Sequence, residues 1–311
     1  MTGYLTINVN PVALQLGGLS IHWYGIMYAI AFFVAFVFGA RRHLRRRGVP
    51  EQSSEEMVII VIIVGLIGAR LYYDVQNNPL HYLTHPQDIL AFWQGGMAFF
   101  GAIIAGFLTM AVLAWRRHLS FWLLADAGAI FAVIGQPIGR IGNLINGDIL
   151  GTKSTLPWAT AYVYPTGFAH CAVLQPGFQC GVPYQPAAAY EAIGTLIILA
   201  IIFAMRKRIP DRAGILAISY VGLYSLSQIL IFFLRASEPV VLLGLKQAQW
   251  SGIVGILVGI PILVVLWKKS PAWSRTVPVV EGGSSSTHPQ EDAKRNNEGN
   301  EGQDTSAPPA K

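Results

Sequence analysis

The chain has 311 residues, 53% of them hydrophobic and only 12% charged, with a formal net charge of +6. A soluble domain carries roughly 25% charged residues, so this composition excludes a water-soluble enzyme, a disordered chain and a collagen. Two cysteines exclude a disulfide-knotted secreted peptide, which leaves an integral membrane protein.

Seven apolar stretches approach or reach the ~20 residues that cross a bilayer. In chain order they are 22–40, 57–73, 96–115, 121–138, 187–205, 213–234 and 250–267, the second and fourth being the shortest. Arg41, Arg42, Arg45, Arg46 and Arg47 follow the first stretch, and Arg116 and Arg117 follow the third. Arg206, Lys207, Arg208 and Arg212 separate the fifth from the sixth, and Lys268, Lys269 and Arg275 follow the seventh. These clusters alternate, so all fall on one side, and Lys and Arg mark the cytoplasmic ends of spans. The pattern predicts an all-α polytopic protein with seven transmembrane helices, the N-terminus outside and the C-terminus cytoplasmic. It assigns the basic residues to topology, with no nucleic-acid partner. The first stretch is not read as a cleaved signal peptide, because its charges follow it rather than precede it. Residues 1–275 form the membrane domain, with an outer loop over 147–185. Beyond them, 276–311 has no apolar face to bury and reads as a disordered cytoplasmic tail.

The outer side holds the chemistry. Gly139-Arg140-Ile141-Gly142-Asn143-Leu144-Ile145-Asn146-Gly147-Asp148 begins at the outer end of the fourth stretch. An ionisable residue at membrane depth is costly and marks a functional site by default. A guanidinium matches phosphate oxygens with a planar fork, amides can orient them, and glycines let backbone approach a ligand. Snorkelling to lipid headgroups is the plainer account of Arg140 alone. It does not cover the whole run, nor Glu191, which lies inside an apolar stretch and needs a partner. His22, Trp23 and Tyr24 open the first span, Gln94-Gly95-Gly96 the third, and Tyr190-Glu191 the fifth, while Arg235 closes the sixth. Trp23 fits an interfacial belt. Gly96, Gly101 and Gly106 fit close helix packing. Asp126 reads as a cap or packing group, and His43 and His118 as solvated residues among inner arginines. Cys171 and Cys180 lie in the outer loop, where a disulfide can form. No spacing supports a metal site.

The run Gly139–Gly147 resembles the signature of the prolipoprotein diacylglyceryl transferases, a bacterial family. Ile21-His22-Trp23-Tyr24-Gly25, Gly95-Gly96-Met97 with Gly101, Gly135-Gln136, Tyr190-Glu191, and Gly244-Leu245 with Gln249 match it in order over roughly residues 10–268. The resemblance implies a plasma-membrane enzyme of lipoprotein maturation whose site faces the outer leaflet. Such an enzyme transfers diacylglycerol from phosphatidylglycerol to the lipobox cysteine thiol of a prolipoprotein signal peptide. A thioether forms and glycerol phosphate leaves. Tyr24, Arg140, Asn143, Asn146 and Asp148 are the catalytic candidates it implies. His22, Gly95, Gly96, Gly142, Gly147, Gly151, Glu191, Tyr224 and Arg235 are the substrate-binding candidates. No cofactor or metal is expected, and the enzyme is expected to be a monomer.

The chain departs from the family's pattern in the third and sixth spans. Phe100 stands where the family has His or Tyr, and Gln228 and Phe232 where it has Arg and Glu. These changes motivate a second reading, a noncatalytic relative that binds anionic phospholipid or lipoprotein precursors. A third class, photoreceptor or transporter, lacks support. The last span has no Lys for a retinal Schiff base, and no pair of broken helices is evident.

Overall fold

A chain in hydrocarbon must satisfy its own backbone groups, so each apolar stretch winds into a helix. The computed structural model describes residues 3–17, 19–77, 96–163, 177–208, 212–236 and 238–269, with isolated positions between 80 and 89. Six helices are long and apolar enough to span a membrane. They are α1 (Trp23–Arg46), α2 (Glu51–Asn77), α3 (Phe99–Arg116), α4 (Phe121–Asn146), α5 (Ala187–Arg208) and, after a shorter apolar helix α6 (Ile215–Ile231), α7 (Gln247–Lys269). The protein is therefore a multi-pass membrane protein. A π-helical turn, Phe36–Ala40, interrupts α1.

One expectation needs correction. The second and fourth apolar stretches, which look shortest in sequence, become helices of 27 and 26 residues. Hydropathy ends where charge begins, but the helices continue because their charged turns find partners. Outside the helices the chain also has short extended segments. It forms three two-stranded sheets: β1 (Leu5–Ile7) with β4 (Thr160–Tyr162), β2 (Val12–Leu16) with β3 (Leu19–His22), and β5 (Val240–Leu242) with β6 (Leu245–Lys246). The first pair is parallel, with Leu5 opposite Thr160. The described part of the 147–185 loop packs there, with Leu150, Tyr162 and Tyr184 in a small core. Residues 164–176 of that loop and the tail 276–311 lie outside the described residues.

Helix α4 is the hub, packing against α1, α3, α5 and α6. In its most apolar window 44% of the residues are buried, against 17–28% in the other spans. At its start, Asp126 accepts hydrogen bonds from the backbone N–H groups of Gly214 and Ala217, both at 2.8 Å. A carboxylate there satisfies the free donors at the N-terminus of α6. At the same end, Glu51 pairs with Arg41 at 2.6 Å and Arg45 at 2.8 Å, and Glu56 with Arg117 at 2.7 Å. The basic clusters at the ends of α1 and α3 thus meet the first turns of α2. His118 is exposed, as expected, but His43 is wholly buried. The helix runs on through Arg46, so its helical period turns Ala40 and Leu44 into the core beside Leu124 and Ala127, and His43 goes with them.

Helices α2 and α3 cross at glycines. A Cβ on Gly68 would lie 2.2 Å from Ala105 Cβ, and one on Gly101 would lie 2.3 Å from the Gly68 carbonyl oxygen. Small residues let backbones touch where lipid supplies no hydrophobic drive between helices. Gly222 on α6 has nothing within 4 Å of its missing Cβ. Gly68→Val should therefore destabilise the protein by about 3 kcal/mol or more, through overpacking against backbone. Gly222→Val should stay within about 1 kcal/mol. Thermal unfolding of the two purified variants in detergent compares them directly, and equal melting would contradict the crossing.

Candidate active site

The polar run of the fourth stretch is helical to its end. Helix α4 extends to Asn146, and Gly147 caps it in the left-handed region at φ 74°. A helical period then sorts the run into two stripes. Gly135, Gly139 and Gly142 face α1. Their missing Cβ atoms would lie 3.4 Å from Ala35 Cβ, 3.5 Å from the Tyr28 ring and 3.1 Å from Met27 Cβ. These glycines therefore pack a helix, and Gly142 is not an open backbone for a ligand. Gln136, Arg140 and Asn143 form the second stripe, which is polar.

Arg140 sits at the centre. Its Nη2 meets Glu191 Oε2 at 2.6 Å, and its Nη1 donates to Asn143 Oδ1 at 3.3 Å. Asn143 Nδ2 in turn donates to both Asp148 oxygens, at 3.2 and 3.1 Å. The Asn146 amide also reaches Asp148. Burial pushes the Asp148 carboxyl above its ordinary range, while these amides pull the other way. Glu191, near the start of α5, is 1% exposed and shared. Its Oε1 lies 3.4 Å from Nη1 of Arg235, just beyond α6. Arg235 also pairs with Glu238 at 3.2 Å and lies over the Phe232 ring, 4.7 Å from its centroid. Lys246 donates to the Phe232 carbonyl at 2.9 Å and to the Arg235 carbonyl, which fixes that turn. Tyr24 packs on Tyr28 with ring centroids 4.5 Å apart, close to Asp148 and Arg140. Tyr224 lies beside Arg140 and stacks on Tyr220 at 5.7 Å.

Tyr24, Arg140, Asn143, Asn146, Asp148, Glu191, Tyr224 and Arg235 thus converge at one end of the bundle. The other candidates have different surroundings. His22 is exposed, at the junction of β3 and α1. Gly96, at φ 77°, is wedged against Tyr73 and Arg70, and its carbonyl accepts from Arg70 Nη1 at 3.2 Å. Arg70 is itself buried and paired with Asp74 at 3.3 Å. Gly147 is the helix cap. Gly151 faces Gln185 Cβ and the Leu234 carbonyl, where a Cβ would lie at 2.7 and 2.8 Å. Cys180 is disulfide-bonded. Cys171, its expected partner, and Gly95 lie outside the described residues. Among the described residues, no group of three or more His, Cys, Asp or Glu is arranged to hold a metal ion.

A model of the prolipoprotein diacylglyceryl transferase family matches residues 11–265. The chain belongs to that family. A phosphatidylglycerol–prolipoprotein diacylglyceryl transferase of Geobacter sulfurreducens is 33% identical over 262 residues, covering 83% of this chain and 93% of the relative. Proteins of the same name from Halalkalibacterium halodurans and Synechococcus elongatus are 33% and 31% identical, over 83% and 89% of this chain and 86% and 94% of theirs.

Against this family's pattern the three departures have physical surroundings. Phe100 is partly exposed on the first turn of α3. Gln228 is buried, and its Nε2 has no partner among the described residues. Phe232 gives Arg235 an aromatic seat in place of a carboxylate, and Glu238, three residues after the arginine, supplies an acid. The sequence reading missed Glu238, Tyr28 and Lys246, and named Gln136 only as part of the family match. Glu238 and Tyr28 were discoverable, since each lies three or four residues along the chain from a predicted site residue. Lys246 gave no such signal.

Glu191 is the group whose loss this geometry makes most costly. Removing one partner of a buried ion pair costs about 3–5 kcal/mol. Glu191→Gln should destabilise by that order, because it removes the carboxylate that pairs with Arg140 and one of the two that pair with Arg235. Glu56→Gln, in an exposed pair with Arg117, should cost about 1 kcal/mol or less. Calorimetry of both variants in one detergent measures the difference, and similar melting temperatures would remove Glu191 from the centre of the site.

Proposed function

We propose that this protein transfers the diacylglyceryl group of phosphatidylglycerol to the lipobox cysteine of prolipoproteins. The observation that carries the reading is the Arg140 guanidinium, held by Glu191 and Asn143 in a chain of this family. The relatives' names give the donor and the acceptor. Arg140 grips the phosphate, and Arg235 shares the same carboxylate on its far side. The cysteine sulfur attacks the glycerol carbon that carries the phosphate. Its lone pair forms the new C–S bond, and the C–O bond breaks with its electrons going to the phosphate oxygen. Glycerol phosphate leaves. A free thiol, with a pKa of ~8.5, is mostly protonated at neutral pH, so its proton needs an acceptor. Asp148 suits that role, because burial raises its proton affinity. Tyr24 and Asn146 close the same corner. Charge develops on the leaving phosphate in the transition state, where fixed donors count most.

The site faces the outer leaflet of the plasma membrane, with all seven apolar helices crossing it and the N-terminus outside. The chain works as a monomer, without cofactor or metal, and residues 276–311 form a cytoplasmic tail. The noncatalytic reading is not favoured. The relatives are named as transferases, and Arg140, Asn143, Asn146, Asp148 and Arg235 are all present.

The purified protein, mixed with phosphatidylglycerol and a lipobox peptide, should yield a thioether-linked product by mass spectrometry. Arg140→Lys should lose about 10²–10³ in rate, because a point charge does not reproduce the fork. Asn146→Ala should lose a comparable factor, and Arg70→Lys much less. Undiminished turnover in Arg140→Ala, at normal abundance, would exclude this residue from the mechanism. For topology, a reporter fused after Arg275 should be active only as a cytoplasmic probe. An extracytoplasmic signal would refute the assigned orientation.

A further inference from the structure

The polar stripe of α4 has a second rung below the phosphate clamp. Gln136 lies one turn inward from Arg140, about 5.4 Å along the helix. Tyr220 and Tyr224 of α6 repeat that spacing, Tyr224 beside Arg140 and Tyr220 beside Gln136. Gln136 also lines a cavity of about 120 Å³ between α1 and α4. The cavity's other walls include Tyr28, Phe32, Phe131 and Gly135, and Gly139 carries it up to the level of Arg140. Apart from Gln136 and the Tyr28 hydroxyl, these walls are apolar.

The Gln136 amide is only half used. Tyr220 lies beside it, while its Oε1 is buried with no partner among the described residues. A buried polar group left without a partner needs an explanation. An amide carries both an oxygen acceptor and N–H donors, and a half-turn exchanges them, so Gln136 can present its N–H group to the cavity it lines. The open end can therefore serve a carbonyl.

We propose that Gln136 recognises the acyl ester of the phospholipid, donating an N–H to an ester carbonyl while the chain beyond it enters the cavity between α1 and α4. The assignment rests on the phospholipid reading above. A glycerophospholipid whose phosphate is held by Arg140 places its glycerol carbons and ester groups about one helical turn deeper. That is the level of Gln136. Tyr220 is then a positioning residue that orients the amide. The rung discriminates an ester, which offers a carbonyl, from an ether, which does not.

The test is equilibrium binding of two lipids to the detergent-purified full chain: dioleoyl phosphatidylglycerol and its di-O-oleyl ether analogue. One neutral hydrogen bond predicts roughly three- to tenfold tighter binding of the diester by the wild type. Gln136→Leu should bring the two affinities within about twofold, by weakening the diester alone. Equal affinities for the two lipids on the wild-type protein would overturn the assignment without recourse to any variant. A Gln136→Leu protein that keeps the full ester preference would overturn it too. Ester preference that depends on Gln136, in a protein yielding no thioether product, would support the subsite and contradict the transferase reading instead.

Discussion

One buried carboxylate organises one end of this molecule. Glu191 is enclosed between the guanidinium groups of Arg140 and Arg235, which come from the ends of two other helices. A charge at membrane depth costs several kcal/mol unless it is paired. None of the three could sit there alone. The pairing therefore ties α4, α5 and the end of α6 together where the chain also needs donors for a phosphate. Asn143 extends the network to Asp148, and Lys246 and Glu238 hold the Arg235 turn. Structural support and chemistry share the same groups.

Helix α4 makes this arrangement possible because its two stripes do different work. The glycine stripe brings α1 close enough for Tyr24 and Tyr28 to reach the site. The polar stripe turns Gln136, Arg140 and Asn143 toward the tyrosines of α6 and the start of α5. At the far end of the same helix, Asp126 caps α6 and so sets the depth at which Tyr220 and Tyr224 present themselves. Packing at one end thus fixes the register of the site at the other.

Much of this was legible in the sequence, for physical reasons. Lipid demands long apolar runs, so the spans announce themselves. A lone Arg and Glu at membrane depth demand each other, so Arg140 and Glu191 stood out before any partner was visible. The roles of the glycines were less legible. A glycine that admits a ligand and one that admits neighbouring protein look alike in sequence; Gly142 proves to pack against α1, and Gly151 against Gln185 and the Leu234 carbonyl. Helix ends were misjudged because hydropathy sees the loss of apolar residues but not the ion pairs that let a helix continue. His43 was misplaced for the same reason, since a basic stretch reads as solvent until its helical face is known. The short sheets are too brief to leave an alternating pattern, and Lys246 acts through backbone carbonyls, which no motif encodes.

The account depends on where the lipid phosphate sits, and a structure of the protein with phosphatidylglycerol bound reads that directly. The phosphate should lie within hydrogen-bond distance of Arg140, with an ester group beside Gln136 and the reacting glycerol carbon open toward Asp148. A phosphate bound elsewhere, such as in the apolar groove that α6 and α7 form beside Trp250, with Arg140 still closed on Glu191 alone, would contradict it.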